Sequence, residues 1–376
     1  MNNQGAAKSA YYPQLDFLRF VAVTLVILEH WFGSALSRNF EFGYLGVLLF
    51  FVLSGFLISG ILLKNRAMID AGMVSKRETL KVFYIRRTLR IFPVYYFLLL
   101  FLFIFSFEGI RQKALWYFLY ASNIYTYIQQ EWDGMIGPFW SLAVEEQFYL
   151  VWPLLMLVMP VRKMPAFFGT CLLLAPVFRL LSIVFANHFS EAPLDTLSMR
   201  VLMPSCIDSF AAGGLLAFWR QDENTGSKWL KYLNNKYLVS GLVVIAYILL
   251  RYKENFLFYL LFPSVFSFLS VTMIAALLVK AKGLKGVIFN NPFLLHLGKI
   301  SYGLYLFHGP FPLIFSIVDV VLGKLHKGFT IYHILAGLPK TTRSLVWVVY
   351  LVGLASLSYY ILEKPFNKLK DKFLYK

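Results

Sequence analysis

The chain has 376 residues, with 36 Lys and Arg against 19 Asp and Glu; 59% of residues are hydrophobic and 15% charged, where soluble domains carry about 45–50% and about 25%. A mean hydropathy of +0.64 is more apolar surface than a globule can hide, which excludes soluble, disordered and fibrous classes and leaves lipid as the main solvent. The net charge of +17 is spread between apolar runs and forms no continuous patch, so it reads as membrane orientation and not as a nucleic-acid footprint.

A spanning helix needs about 20 mostly apolar residues. Ten runs qualify: 15–35, 43–63, 91–107, 141–160, 165–187, 201–219, 237–250, 256–279, 299–321 and 344–362. They predict an all-α integral membrane protein, a polytopic bundle of about ten transmembrane helices. With the N-terminus inside, inner segments hold 24 Lys and Arg and outer segments 10, while Arg19 and Arg179 lie within spans. That asymmetry places both termini in the cytoplasm. The organisation expected is a cytoplasmic segment 1–14, a membrane domain 15–363 and a basic cytoplasmic tail 364–376. The first run is too long, and too charged at Arg19, Glu29 and His30, for a cleavable signal peptide. Cys171 and Cys206 both lie in apolar runs and suggest no disulfide framework.

The first run, LDFLRFVAVTLVILEHW, carries the most informative charges, because ionisable groups in lipid are costly and mark function. Arg19 and His30 are eleven residues apart. On a helix that is three turns plus about 20°, so both project from one face, about 16 Å apart along the axis. Asp16 is one turn from Arg19 and able to pair with it. An interfacial, snorkelling Arg19 and a hydrogen-bonded structural His30 fit the same pattern, whereas a His near its ordinary pKa is also the usual general base.

The second run, GVLLFFVLSGFLISG, sets small residues among aromatics, as close helix packing requires. In FYIRRTLRIFPVYY, Arg86, Arg87 and Arg90 stand at the expected inner mouth of the third span. They suit a phosphate clamp, and equally an orientation signal or an anionic-lipid contact. The aromatic, polar stretch 115–130 reads as interfacial. In FWSLAVEEQFYLVWPL, Ser141, Glu145 and Tyr149 share a helix stripe, with Glu145 free to orient a His, to act as a base or to pair with a cation. In ISYGLYLFHGP, Tyr305 and His308 are one turn apart; His308 faces a cavity or makes a structural hydrogen bond. Trp116, Tyr120, Tyr125, Tyr127 and Trp132 suit sugar stacking and interfacial anchoring alike. No metal-ligand spacing, phosphate loop or dinucleotide fingerprint is present in the sequence.

Taken in order, LDFLRFVAVTLVILEH, GVLLFFVLSGFLI, RRTLRIFPVYY, FWSLAVEEQFYLVWP, ISYGLYLFH and ILEKPF resemble the acyltransferase-3 family of integral-membrane O-acyltransferases, over about 14–366. The resemblance implies transfer of an acyl group, usually acetyl, from acetyl-CoA or another acyl-CoA to a hydroxyl of a cell-surface or lipid-linked saccharide. It implies a bacterial cytoplasmic membrane location, membrane lipid around the bundle, a glycan-assembly partner protein and no metal. By matching position, it gives His30 and Glu145 catalytic roles. Donor handling falls to Arg19, Arg86, Arg87 and Arg90, and Ser141 shares a matching motif with Glu145; the spacings noted above add Asp16, Tyr149, Tyr305 and His308 as supporting residues. In that scheme the Arg cluster holds the donor phosphates and the pantetheine arm threads past Arg19. His30 then deprotonates the acceptor, with Glu145 orienting it, or carries a transient acyl group. Some relatives add a C-terminal esterase-like domain; a chain ending at Lys376 is expected to lack it. A transporter or flippase of a lipid-linked sugar, or a non-catalytic member of a polysaccharide-assembly complex, is the alternative from another class.

Overall fold

The structure is a computed structural model and describes residues 12–33, 39–189, 198–221, 223–278, 284–325, 335 and 337–375. Among these residues every regular element is helical. In chain order they are α1 (Pro13–Ile27), α2 (Phe42–Asp70), α3 (Lys76–Ile104), α4 (Ile110–Phe118), α5 (Ser122–Gln129), α6 (Phe139–Val158), α7 (Met164–Phe189) and α8 (Met203–Gln221). They continue as α9 (Glu223–Leu233), α10 (Lys236–Arg251), α11 (Phe256–Leu278), α12 (Leu284–Phe289), α13 (Pro292–Lys299), α14 (Ser301–His308), α15 (Phe311–Leu325), α16 (Lys340–Ser358) and α17 (Lys364–Leu369). One-turn helices fill several of the joints.

Seven helices among the described residues are long and apolar enough to cross a membrane: α2, α3, α6, α7, α8, α11 and α16. The count is eight if α9 and α10, bent by 52°, act as one broken span. About ten were expected, and the other three runs are shorter or interrupted. Run 15–35 folds as α1, which passes into a π-helical turn at Leu28–Phe32 and ends at Gly33 in left-handed conformation. Run 237–250 is the 16-residue α10. Run 299–321 breaks at Gly309-Pro310 into α14 and α15, where proline has no N–H to continue the ladder. Stretch 115–130 lies in α4 and α5, of 9 and 8 residues; at 1.5 Å per residue neither crosses a bilayer.

Local sequence explains the ends. Ser75 caps α3 by accepting from Glu78 N at 3.0 Å, and Asn235 and Asn291 do the same for α10 and α13. The core is a crossing of α1, α2, α6 and α8. Gly55 of α2 faces the carbonyl of Phe210, and Gly213 of α8 faces that of Val52, so a Cβ at either position would collide with the opposing backbone. Gly46 likewise lies on Ala22 of α1. Small residues thus bring three backbones together without any hydrophobic drive, as in lipid they must. Cys171 and Cys206 are free and buried.

Candidate active site

The bundle encloses a narrow slot and two wider chambers. The slot, about 90 Å3 in volume, is walled by α1, α2, α3, α6 and α14; Arg19, Ser54, Arg87, Arg90, Glu145 and Tyr305 are among its lining. An outer chamber of about 940 Å3 is lined by His30, Glu29, Glu41, Trp132, Trp140 and Arg200, among others. Val47 and Tyr305 border both. A third chamber, about 630 Å3, lies on the other side of His30, against Trp31, Lys340 and Arg343. Ligand pockets usually measure about 300–1,000 Å3. The wide chambers are therefore large enough for a sugar, and the slot admits only something thin.

The slot is built around positive charge. Arg19 donates to Asp16 at 2.5 Å, and Asp16 is itself buried. Asp16 belongs to the stretch of α1 whose backbone lies against Gly298 of α13, where a side chain would not fit. Arg87 lies over the rings of Tyr149, at 5.2 Å, and Phe83, at 5.6 Å. Among the described residues neither Arg87 nor Arg90 is engaged in an ion pair. Both lie within the long α3, which starts at Lys76, before the expected 91. Facing them, Glu145 accepts hydrogen bonds from Ser54 and Tyr149, and Ser54 lies 3.2 Å from the Tyr149 hydroxyl.

Arg86 is set apart from Arg87 and Arg90. Its guanidinium donates to the carbonyls of Lys370 and Phe373, both at 2.8 Å, and stacks 5.7 Å from Tyr375. Successive residues on a helix point about 100° apart, so Arg86 turns to the C-terminal segment while Arg87 and Arg90 face the slot. Burial raises the Tyr375 phenol pKa, against the pull of Arg87 and Arg86.

His30 is exposed to the chambers and sits in the π turn, a distortion frequent at functional sites. Its Nδ1 is 2.8 Å from the Val26 carbonyl. A carbonyl only accepts, so Nδ1 carries the hydrogen and Nε2 of the neutral ring keeps its lone pair. His308 repeats this arrangement: Nδ1 is 2.5 Å from the Tyr305 carbonyl, while Nε2 is buried with no partner among the described residues. The two imidazoles meet edge to face at 4.9 Å, and Trp31 Nε1 donates to the His308 carbonyl at 3.2 Å. Among the described residues Glu145 makes no hydrogen bond to His30: the two line different cavities, and the hydroxyls of Ser54 and Tyr149 both donate to Glu145 Oε1.

Ser141 and Tyr305 close the wall between slot and outer chamber. Their hydroxyls are 2.5 Å apart, and each is 3.0 Å from the Pro138 carbonyl. One proton therefore runs between the hydroxyls and the other to the carbonyl. Tyr120 also reaches the slot, its phenol pushed well above the ordinary value by burial. Trp132 packs on Trp140 in the outer chamber at 6.3 Å, whereas Trp116 packs on Tyr125 outside these cavities.

Three participants escaped the sequence reading. Ser54 looked like packing, and only its contact with Glu145 reveals a polar role. Glu29 lines the outer chamber beside His30 and accepts from Gly43 N at 2.8 Å. Arg200, reached from far along the chain, bonds Glu41 at 3.0 Å and faces Tyr44 and Tyr259.

A family model described as an acyltransferase domain, acyltransferase-3, matches residues 12–363. The chain is 30% identical over 389 residues to the peptidoglycan O-acetyltransferase OatA of Listeria monocytogenes, covering 95% of this chain and 56% of that protein. It is 28% identical over 392 residues to a Staphylococcus aureus protein named "Putative O-acetyltransferase", covering 96% of this chain and 58% of that protein. The chain thus spans just over half the length of these relatives. No solved structure gave a significant match.

Proposed function

The chain belongs to the acyltransferase-3 family, and from that premise we propose that it is a multi-pass O-acetyltransferase. In this reading it takes acetyl from acetyl-CoA at the cytoplasmic face and delivers it to a glycan hydroxyl on the other side. One observation carries the proposal. A thin slot lined by Arg19, Arg87 and Arg90 and a wide chamber lined by His30 share one wall, at Tyr305 and Val47. The slot suits a pantetheine arm whose phosphates stay with cations, and the chamber suits a sugar. The excess of Lys and Arg in the inner loops supports a cytoplasmic donor side and cytoplasmic termini. A bacterial cytoplasmic membrane is the location proposed. The names of the relatives make a cell-wall glycan the first acceptor class to try, with a partner protein to present it.

The roles follow from the geometry. Arg87 and Arg90 hold donor phosphate, and Arg19, steadied by Asp16, sits further along the slot. His30 Nε2 takes the proton of the acceptor hydroxyl as its oxygen attacks the thioester carbonyl. The C–S bond then breaks, and the coenzyme A thiolate leaves and is protonated. The edge-on imidazole of His308 fixes the His30 ring, and Glu29 is the carboxylate placed to favour its charged form. Glu145 keeps Ser54 and Tyr149 in place beneath Arg87. In a direct transfer the Tyr305–Ser141 wall must open for the thioester to reach the acceptor.

The test supplies labelled acetyl-CoA to the cytoplasmic face of membranes containing the protein and follows the label into glycan. Transfer that depends on His30 is expected. Label that stays in coenzyme A, with the protein folded and glycan present, would leave a sugar transporter or a scaffold as the better reading.

A further inference from the structure

The third chamber has a composition that the transfer reaction does not use. Lys340 and Arg343 of α16 project into it, with Trp347 one turn further on. Arg343 lies 5.5 Å over the Trp347 ring, and Trp31 meets Trp347 edge to face at 5.7 Å. Among the described residues neither cation is engaged in an ion pair. Two donor groups here, Arg343 Nε and Trp347 Nε1, are buried with no hydrogen-bond partner among those residues. Glu108 is the carboxylate in the lining, and its oxygens are turned to Gly134. The cationic side chains of Lys340 and Arg343 line a sugar-sized space and are complementary to an anion, and guanidinium pairs with carboxylate and phosphate oxygens especially well.

His30 borders both this chamber and the outer one. The outer chamber has the opposite character, with Glu29, Glu41 and the exposed Glu131 against Arg200. A saccharide lying across His30 therefore meets acidic lining on one side and basic lining on the other. We propose that the Lys340–Arg343–Trp347 chamber is a subsite for an anionic group, a carboxylate or phosphate, carried by the acceptor saccharide next to the hydroxyl that is acylated. The inference rests on the reading of His30 as the base that faces the acceptor. It identifies the acceptor as an acidic glycan unit rather than a neutral one.

The test is a binding titration on the full chain in lipid nanodiscs. Three probes are compared: a disaccharide carrying one uronic carboxylate, the same disaccharide with that carboxylate reduced to the alcohol, and a glycosyl phosphate. The anionic probes are expected to bind about tenfold more tightly than the neutral one, with an advantage that falls as salt rises. Arg343→Gln and Lys340→Gln should each remove most of that advantage and leave the neutral probe's affinity unchanged. Lys340 is exposed, so its variant keeps the test open if Arg343→Gln misfolds. Equal affinity for charged and neutral probes, or an advantage that survives both substitutions, would overturn the subsite. So would loss of the advantage on adding an anionic phospholipid to the nanodisc, since the site would then be a headgroup site. Acetyl transfer to the same probes separates the two readings. A preference without transfer refutes the transferase and, with it, an acceptor subsite, leaving only an anion site in this chamber; transfer without a preference refutes the subsite alone.

Discussion

The phenol of Tyr305 and the hydroxyl of Ser141 lie 2.5 Å apart across the wall that divides the slot from the outer chamber. Neither group acts alone, because both also address the Pro138 carbonyl. Residues in one hydrogen-bond network couple, so their effects do not add. Tyr305→Phe and Ser141→Ala are each expected to slow acetyl transfer about tenfold, and the double variant by no more than either single one. A full double-mutant cycle on initial rates measures this. A double effect equal to the product of the two would mean that the hydroxyls work separately.

His30 has a different signature. It lies outside the slot, so His30→Ala should spare acetyl-CoA binding while transfer falls by about 10²–10⁴-fold, the usual worth of a positioned general base. Donor affinity measured by titration and transfer measured with label separate the two effects. A variant that loses both in parallel would place His30 in donor binding.

The three arginines of α3 should divide. Arg87→Gln and Arg90→Gln each remove a charge from the slot, and the KM for acetyl-CoA is expected to rise about tenfold, as for a charge-assisted phosphate contact. Arg86→Gln should leave that KM unchanged and lower thermal stability, because it unfastens the C-terminal segment from α3. A rise in KM for Arg86→Gln equal to that for Arg90→Gln would return all three to one cluster.

Much of this was legible in the amino-acid pattern, for physical reasons. Arg19 and His30 stood out because charge in lipid is expensive wherever the helix turns. Seven of the ten apolar runs correspond to helices long enough to span, since hydropathy and helix length are set locally. What stayed hidden depends on contacts distant in sequence. Spacing on α3 alone does not reveal that Arg86 meets Lys370 and Phe373, or that Ser54 meets Glu145 across 91 positions. Nor does it reveal the π turn that carries His30, because a π turn has no composition of its own. Residue chemistry alone also could not tell that Glu145 and His30 line different cavities, with Ser54 and Tyr149 both donating to Glu145 Oε1.

The packing of α2 supplies a control within a single helix. At Gly55 an added methyl would fall on the Phe210 backbone, and neither helix yields without separating α2 from α8. At Gly60 the nearest atom to an added methyl is the Ala217 Cβ, at 3.9 Å, an ordinary contact. Alanine is favoured over glycine in a helix by about 0.8–1.0 kcal/mol. Gly60→Ala should therefore be neutral or stabilising, whereas Gly55→Ala should destabilise by about 1–3 kcal/mol, the usual cost of overpacking. Gly55→Ala should also reduce transfer, because Ser54 and its bond to Glu145 ride on the same turn of α2. Thermal unfolding in detergent, with activity measured on the surviving protein, checks both variants. Equal melting temperatures would mean that the α2–α8 crossing is looser than the contact at Phe210 requires.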